Sequence, residues 1–173
     1  LEEAQEKHGK TIKEIWLTHH HPDHMDSAGF IQERFGVPIA CHEAAKPLIE
    51  SKGLKIDRTL SDNETVTLSK EPHFSIRVLH IPGHTKGHLG FWIEQENALI
   101  CGDHLSALST VIIEPPEGDM KTYMESLHRI QNLKPELLFP AHGPAIKDAL
   151  TYINDSIEHR KWREQRILQA WNE

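Results

Sequence analysis

The sequence predicts a mixed α/β domain, and two patterns carry that expectation. In the first third of the chain helix-like and strand-like stretches alternate, whereas from residue 65 onward apolar strand-like runs follow one another as a meander. A third observation bears on function: potential metal ligands stand just beyond the ends of four apolar runs. At 173 residues the chain is the size of one domain with a real core, and no linker, repeat or low-complexity segment divides it. Residues 1–173 are therefore expected to form a single domain.

The elements follow in order. Residues 1–8 read as a short helix stopped by Gly9, and 12–17 as a strand leading into a histidine-rich loop. A helix over 27–35 closes at Gly36, a short buried strand occupies 37–41, and a helix over 42–51 closes at Gly53. Strands are expected over 65–68, 74–81, 89–94 and 98–101, with Gln95-Glu96-Asn97 as a hairpin turn. Asp119 can cap a helix running to about Asn132, and 136–139 makes a short strand. Pro144 then opens a long helical tail over about 145–171.

Composition narrows the function classes. A charged fraction of 26% and a hydrophobic fraction of 38% are those of a globular protein, and no apolar run approaches the ~20 residues of a membrane helix. The chain is expected not to span a membrane. A net charge of -7 works against a surface broadly attractive to nucleic acid or anionic lipid. Cys41 and Cys101 each lie in an apolar stretch and suit buried free thiols, which points to a reducing, cytoplasmic setting. Because the sequence opens at Leu1 without methionine and runs straight into a helix, further residues are expected upstream.

Histidine is the compositional anomaly. The chain has 14, more than packing calls for, and metal binding and acid/base chemistry are the uses that want imidazole. Thr18-His19-His20-His21-Pro22-Asp23-His24 directly follows a strand, so His19 and His21 can face one point while Asp23 and His24, past Pro22, face another. Two adjacent ions are implied, since imidazole and carboxylate are natural ligands of Zn²⁺ and related divalent ions. Three more runs end the same way, in Pro82-Gly83-His84, Gly102-Asp103 and Pro140-Ala141-His142-Gly143. The glycines there allow the backbone to approach closely.

On these residues the chain resembles the metallo-β-lactamase superfamily, and the resemblance runs over essentially its whole length. It implies a four-layer αββα fold, here lacking the strands that precede the first histidine motif in that family. It also implies that His19, His21 and His84 hold one ion, Asp23, His24 and His142 a second, and that Asp103 bridges them. The expected cofactor is a pair of divalent ions, Zn²⁺ foremost, with Mn²⁺ or Fe as alternatives. Two such ions about 3.5–4 Å apart can share a hydroxide and polarise the bond to be cleaved. Asp23 and Asp103 are the carboxylates expected to serve catalysis directly. His88 and His104 stand close enough to His84 and Asp103 to hydrogen-bond a ligand or a leaving group. His20 alternates with the ligands and is expected to point away from the ions, and Cys101 to sit in the core.

The reaction implied is hydrolysis of an ester-type bond, with a small-molecule thioester or lactone, or single-stranded RNA, as substrate. Pro116-Glu117-Gly118-Asp119, Tyr123, Ser126-Leu127 and the tail His159-Arg160-Lys161-Trp162-Arg163 resemble the branch containing the β-lactamase-like endoribonuclease and its bacterial relatives. In that branch a small winged-helix-like region follows the tail, and it is expected to be absent or shortened here. Arg160, Arg163 and Arg166 recur every three residues; they make either a strip for the RNA backbone or, the reading preferred, a solvated helix face. Pro82-Gly83-His84-Thr85-Lys86-Gly87-His88 is also similar to glyoxalase II-like thioester hydrolases. A flavo-diiron redox protein, disfavoured by His21, and a non-catalytic metal-binding module are the readings of another class.

Overall fold

The computed structural model describes residues 1–171; residues 172 and 173 of the expected domain lie outside the described residues. In chain order the elements are α1 (Glu2–His8), β1 (Ile15–Trp16), α2 (Pro22–Met25), α3 (Ala28–Phe35), β2 (Ile39–His42), α4 (Lys46–Glu50), β3 (Arg58–Leu60), β4 (Thr65–Lys70), β5 (His73–His80), β6 (Leu89–Ile93), β7 (Ala98–Gly102), α5 (Met120–Leu133), β8 (Leu137–Pro140) and α6 (Ala149–Trp171). They build two sheets. One runs β1-β2-β3, all parallel, and the other β4-β5-β6-β7-β8. The second is an antiparallel meander as far as β7, and β8 lies parallel to β7 because α5 crosses between them.

Three apolar clusters define four layers. Leu17, Met25, Ala28, Ile39, Cys41 and Ile49 pack α2, α3 and α4 against the first sheet. Ala40 and Leu60 of that sheet meet Val78, Leu89 and Phe91 of the second. Leu79, Leu99 and Cys101 of the second sheet pack against Tyr123, Leu127 and Ile130 of α5 and Ile153 and Ile157 of α6. The order is helices, sheet, sheet, helices, the αββα arrangement that the resemblance implied. Strand alternation produces it, since neighbours such as Val78 and Leu79 serve opposite faces. Cys101 is wholly buried, as expected of a core thiol.

Several element boundaries differ from the sequence expectation. The strand expected over 12–17 is hydrogen-bonded as a strand only at Ile15–Trp16. The helix expected from His42 begins at Lys46, because His42 is the last residue of β2 and pairs with Leu60. Strand β3 was not foreseen at all. The tail helix starts at Ala149 and not at Pro144, because Ile146 exchanges two backbone hydrogen bonds with Leu138 on β8 before the helix can begin. Asp119 caps α5 as expected, its Oδ1 accepting from the Thr122 amide at 2.7 Å.

Candidate metal centre

The first four residues of the centre come from one continuous turn of chain. Leu17 extends the β1 pairing by donating to the Ala40 carbonyl, and the Thr18 carbonyl accepts from the Leu89 amide, fixing the strand end between the two sheets. The chain bends at Thr18 and His20 and brings the rings of His19 and His21 to 4.6 Å from one another. His21 is the N-cap of α2 with Pro22 at the start of the helix, so Asp23 and His24 swing round in its first turn. The remaining three come from the second sheet: His84 beyond β5, Asp103 beyond β7 and His142 beyond β8.

These residues converge into two adjoining groups. His19, His21, His84 and Asp103 offer ligand atoms all within 4.8 Å of one another, and so do Asp23, His24 and His142. In the first group His21 Nδ1 lies 3.0 Å from His19 Nε2 and 3.1 Å from His84 Nε2. In the second, Asp23 Oδ2 lies 3.4 Å from His24 Nε2 and 3.3 Å from His142 Nε2. Asp103 touches both groups. Its Oδ2 is 3.8 Å from His84 Nε2 and 3.2 Å from His24 Nε2, and its Oδ1 is 3.4 Å from His142 Nε2.

The donor set fits divalent ions. Zinc–nitrogen bonds of about 2.0–2.1 Å in a tetrahedron put neighbouring ligand atoms about 3.3 Å apart, the spacing seen here. Burial, reinforced by the surrounding imidazoles, pushes the His19 ring down to about 2 and His21 to about 4, so both are neutral near pH 7 with a lone pair to give. His84 Nδ1 donates to the Ile112 carbonyl at 2.7 Å, which in the neutral ring leaves the lone pair on Nε2, facing the cluster. His24 Nε2 and Asp103 Oδ1 are buried without a hydrogen-bond partner, a costly arrangement unless a cation completes it. For His24, burial lowers the ring pKa, but the Asp103 carboxylate overcomes it and the net shift is upward.

His88 and His104 have different surroundings. His88 Nε2 accepts the Asp103 amide at 3.1 Å, so this fully buried ring holds the backbone that carries the shared carboxylate. His104 is equally buried, yet both its ring nitrogens lack partners, and its ring packs against Tyr123 at 4.6 Å. It hydrogen-bonds none of the cluster side chains. His20 belongs to neither group; its buried ring lies 5.0 Å from that of His21, and its carbonyl accepts from Lys52 Nζ. Burial pushes the Cys101 thiol up to about 12 and Cys41 to about 11, so neither is a nucleophile near neutral pH.

The family model for the metallo-beta-lactamase superfamily matches residues 1–142, a span that includes every residue of both groups. The chain belongs to that superfamily. Among curated relatives, the beta-lactamase-like protein 2 homolog of Drosophila melanogaster is 32% identical over 92% of this chain and 54% of its own length. The protein of that name in Caenorhabditis elegans is 28% identical over 94% of this chain and 52% of its own. An atrochrysone carboxyl ACP thioesterase of Aspergillus fumigatus is 27% identical over 92% and 35%. The chain thus spans about half the length, or less, of these relatives. A solved β-lactamase domain protein from Burkholderia ambifaria superposes with a TM-score of 0.81 at 22% identity, over 98% of this chain and 61% of that one. TTHA1623, solved in a di-iron-bound form, gives 0.70 at 28% identity, over 86% and 78%.

In this metallo-beta-lactamase domain the cluster opens into a cavity of about 700 Å³. His21, Asp23, His84, Asp103 and His142 form its floor, and the segment from Ser106 to Glu117, between β7 and α5, forms its wall. Most of this wall was missed from sequence. Its apolar residues have no period, and the available signal was that Leu108 and Ile112 are large hydrophobics in a segment without regular structure; each is 71% exposed. The wall is pinned from α6, where Tyr152 Oη donates to the Ser106 carbonyl and Arg160 Nη2 to the Val111 carbonyl. Of the expected arginine strip, Arg163 and Arg166 are exposed, while Arg160 is half-buried against the protein.

Proposed function

We propose that this chain is the catalytic part of a binuclear metal-dependent hydrolase that cleaves thioesters, or related esters, of an apolar acyl group. The observation that carries the reading is the cavity: it joins the His/Asp cluster to a wall of Leu108, Val111 and Ile112 that also holds Glu114 and Glu117, and among the described residues no lysine or arginine lines it. Such a mouth favours an apolar acyl group over a polyanion. The thioesterase name of one relative supports the same choice. The competing substrate, single-stranded RNA, needs free cations along its path; Arg160 is committed to Val111, and the exposed Arg163 and Arg166 do not line the cavity.

We assign His19, His21 and His84 to one ion, Asp23, His24 and His142 to the other, and Asp103 to both. When bound, such a pair of ions supplies Lewis acidity to the scissile carbonyl and makes water acidic enough to attack near neutral pH. Zinc suits the donors best, and manganese or iron can replace it. Asp23 is the most exposed of the seven at 60% and lines the cavity, so it is the carboxylate placed to take the proton that the attacking water releases. His88 keeps Asp103 in register through its amide. Among the described residues no helix is long and apolar enough to cross a membrane. The two free buried thiols support a reducing, cytoplasmic site of action.

The test combines metal analysis with one substrate panel: acyl-thioesters of increasing chain length, S-lactoylglutathione, lactones, a cephalosporin and single-stranded RNA. Two equivalents of metal per chain, fastest turnover of the longer apolar thioesters, and loss of activity on chelation or in Asp103→Ala are expected. Full activity after chelation, or preferred cleavage of RNA, would overturn the reading.

A further inference from the structure

Helix α6 enters the site through one residue. Its buried positions Ala149, Ile153 and Ile157 recur at helical spacing, and Arg160 continues that stripe as the last side chain of the helix that is not exposed. The Arg160 guanidinium lies 5.1 Å from the centre of the Tyr123 ring and donates to the carbonyl of Val111. The next carbonyl along, that of Ile112, accepts from His84 Nδ1 at 2.7 Å. Two consecutive peptide groups are therefore held by two different partners, a cation from α6 and a residue of the metal cluster. Tyr123 also secures the loop that carries His84: a Cβ on Gly83 would sit 2.3 Å from the Tyr123 Cα, so the His84 turn rests directly on α5.

We propose that Arg160 is a positioning residue for the metal centre: by clamping Val111 it fixes the Ile112 carbonyl, which holds His84 with its proton on Nδ1 and its Nε2 lone pair in the cluster. The inference rests on His84 being a ligand, as assigned above. It changes what the tail helix is for. Without Arg160 the wall segment keeps its apolar contacts but loses the charged anchor one residue from the His84 bond. The imidazole is then free to rotate or to exchange tautomers, and an unordered ring is a poorer ligand. A hydrogen bond from a charged donor on a half-buried carbonyl is the stronger kind, which suits a fixed anchor.

The experiment compares Arg160→Met, which keeps the packing over Tyr123 but cannot donate, with Arg160→Lys, which restores a cationic donor, and Arg166→Met, an exposed control on the same helix. Three readouts are taken on folded protein: Zn²⁺ affinity by competition with a chromophoric chelator, the His84 tautomer by long-range ¹H–¹⁵N correlation in metal-free protein, and steady-state kinetics on the best thioester of the panel. Arg160→Met is expected to weaken Zn²⁺ binding about tenfold and to lower kcat more than it changes KM. The His84 Nδ1–H signature should give way to a tautomer mixture. Arg160→Lys should recover most of both effects, and Arg166→Met should match the parent. Should Arg160→Met not fold, Arg160→Gln, too short to reach Val111, takes its place with the same expectation. An unaltered His84 tautomer and Zn²⁺ affinity in the non-donating variant would overturn the proposal while leaving the hydrolase reading intact. A parent protein that binds none of Zn²⁺, Mn²⁺ and Fe²⁺ would instead sink the hydrolase reading, and the tautomer measurement would still decide the role of Arg160.

Discussion

Gly83 shows how narrowly single residues are constrained around the cluster. Its φ of 128° lies where side chains are rarely tolerated, and the space a Cβ needs is filled by the Tyr123 backbone. Gly83→Ala must therefore separate the His84 turn from α5. We expect a loss of about 3 kcal/mol in chemical denaturation together with weaker metal retention. At Gly36 a Cβ would meet nothing within 4 Å, so the same substitution carries only the strain of its φ of 64°, about 1 kcal/mol, and should leave metal binding alone. The seven cluster residues were legible in the sequence because ligand chemistry permits few residue types, and those types stood at strand ends. Arg160 was not legible as an anchor. Three arginines at equal spacing look alike until the phase of α6 is known, and only packing reveals that the first faces inward.

At the scale of elements, what could be read depended on length and period. β5 and β7 carry long apolar runs and were found close to their true bounds, whereas β3 is three residues with only Leu60 buried, too little for any pattern to register. The wall from Ser106 to Glu117 has no period because neither hydrogen-bond ladder nor helix shapes it; its form comes from bonds made by α6, His84 and the His142 carbonyl. Helix α6 divides sharply at its anchor. Residues 161–171 are all exposed, while Ile153 and Ile157 are core. Ending the chain after Lys161 should cost less than about 1 kcal/mol, whereas ending it after Ser156 removes Ile157 and Arg160 and should cost about 3 kcal/mol or more. Urea unfolding of the two truncations measures the difference, and equal losses would contradict this division of the helix.

On the scale of the whole molecule, one polar network ties the sheets at the end of the chain's first half. Arg58 on β3 donates to Glu14, just before β1, at 2.6 Å and to Glu64, just before β4, at 2.9 Å. The Ser61 amide and the Arg58 guanidinium together outweigh the opposing effect of burial and hold the Glu64 carboxyl below its usual range. A depressed folded-state pKa means that the stabilisation is complete above the unfolded value of about 4.3 and is lost as pH falls through the lower folded value. Urea midpoints should therefore fall as the pH drops from about 5 towards 3. Arg58→Met should shrink that drop by about 1 kcal/mol, a modest figure because the guanidinium is partly exposed. An unchanged pH slope in the variant would show that the network does not set it.

The arrangement of the cluster across the two sheets has a consequence for how long the molecule lasts. Each group takes members from both sheets, with His19, His21, Asp23 and His24 following β1 and His84, Asp103 and His142 coming from the opposite side. Ions held there would act as inorganic rivets through the sandwich, joining parts of the chain that no disulfide connects. Binding to the folded form alone adds RT ln(1 + [L]/Kd), about 2.7 kcal/mol when free metal is a hundredfold above Kd. Metal supply would then govern how often the sheets part and how quickly proteases remove the chain, so a cell starved of the ion would lose the protein as well as its activity.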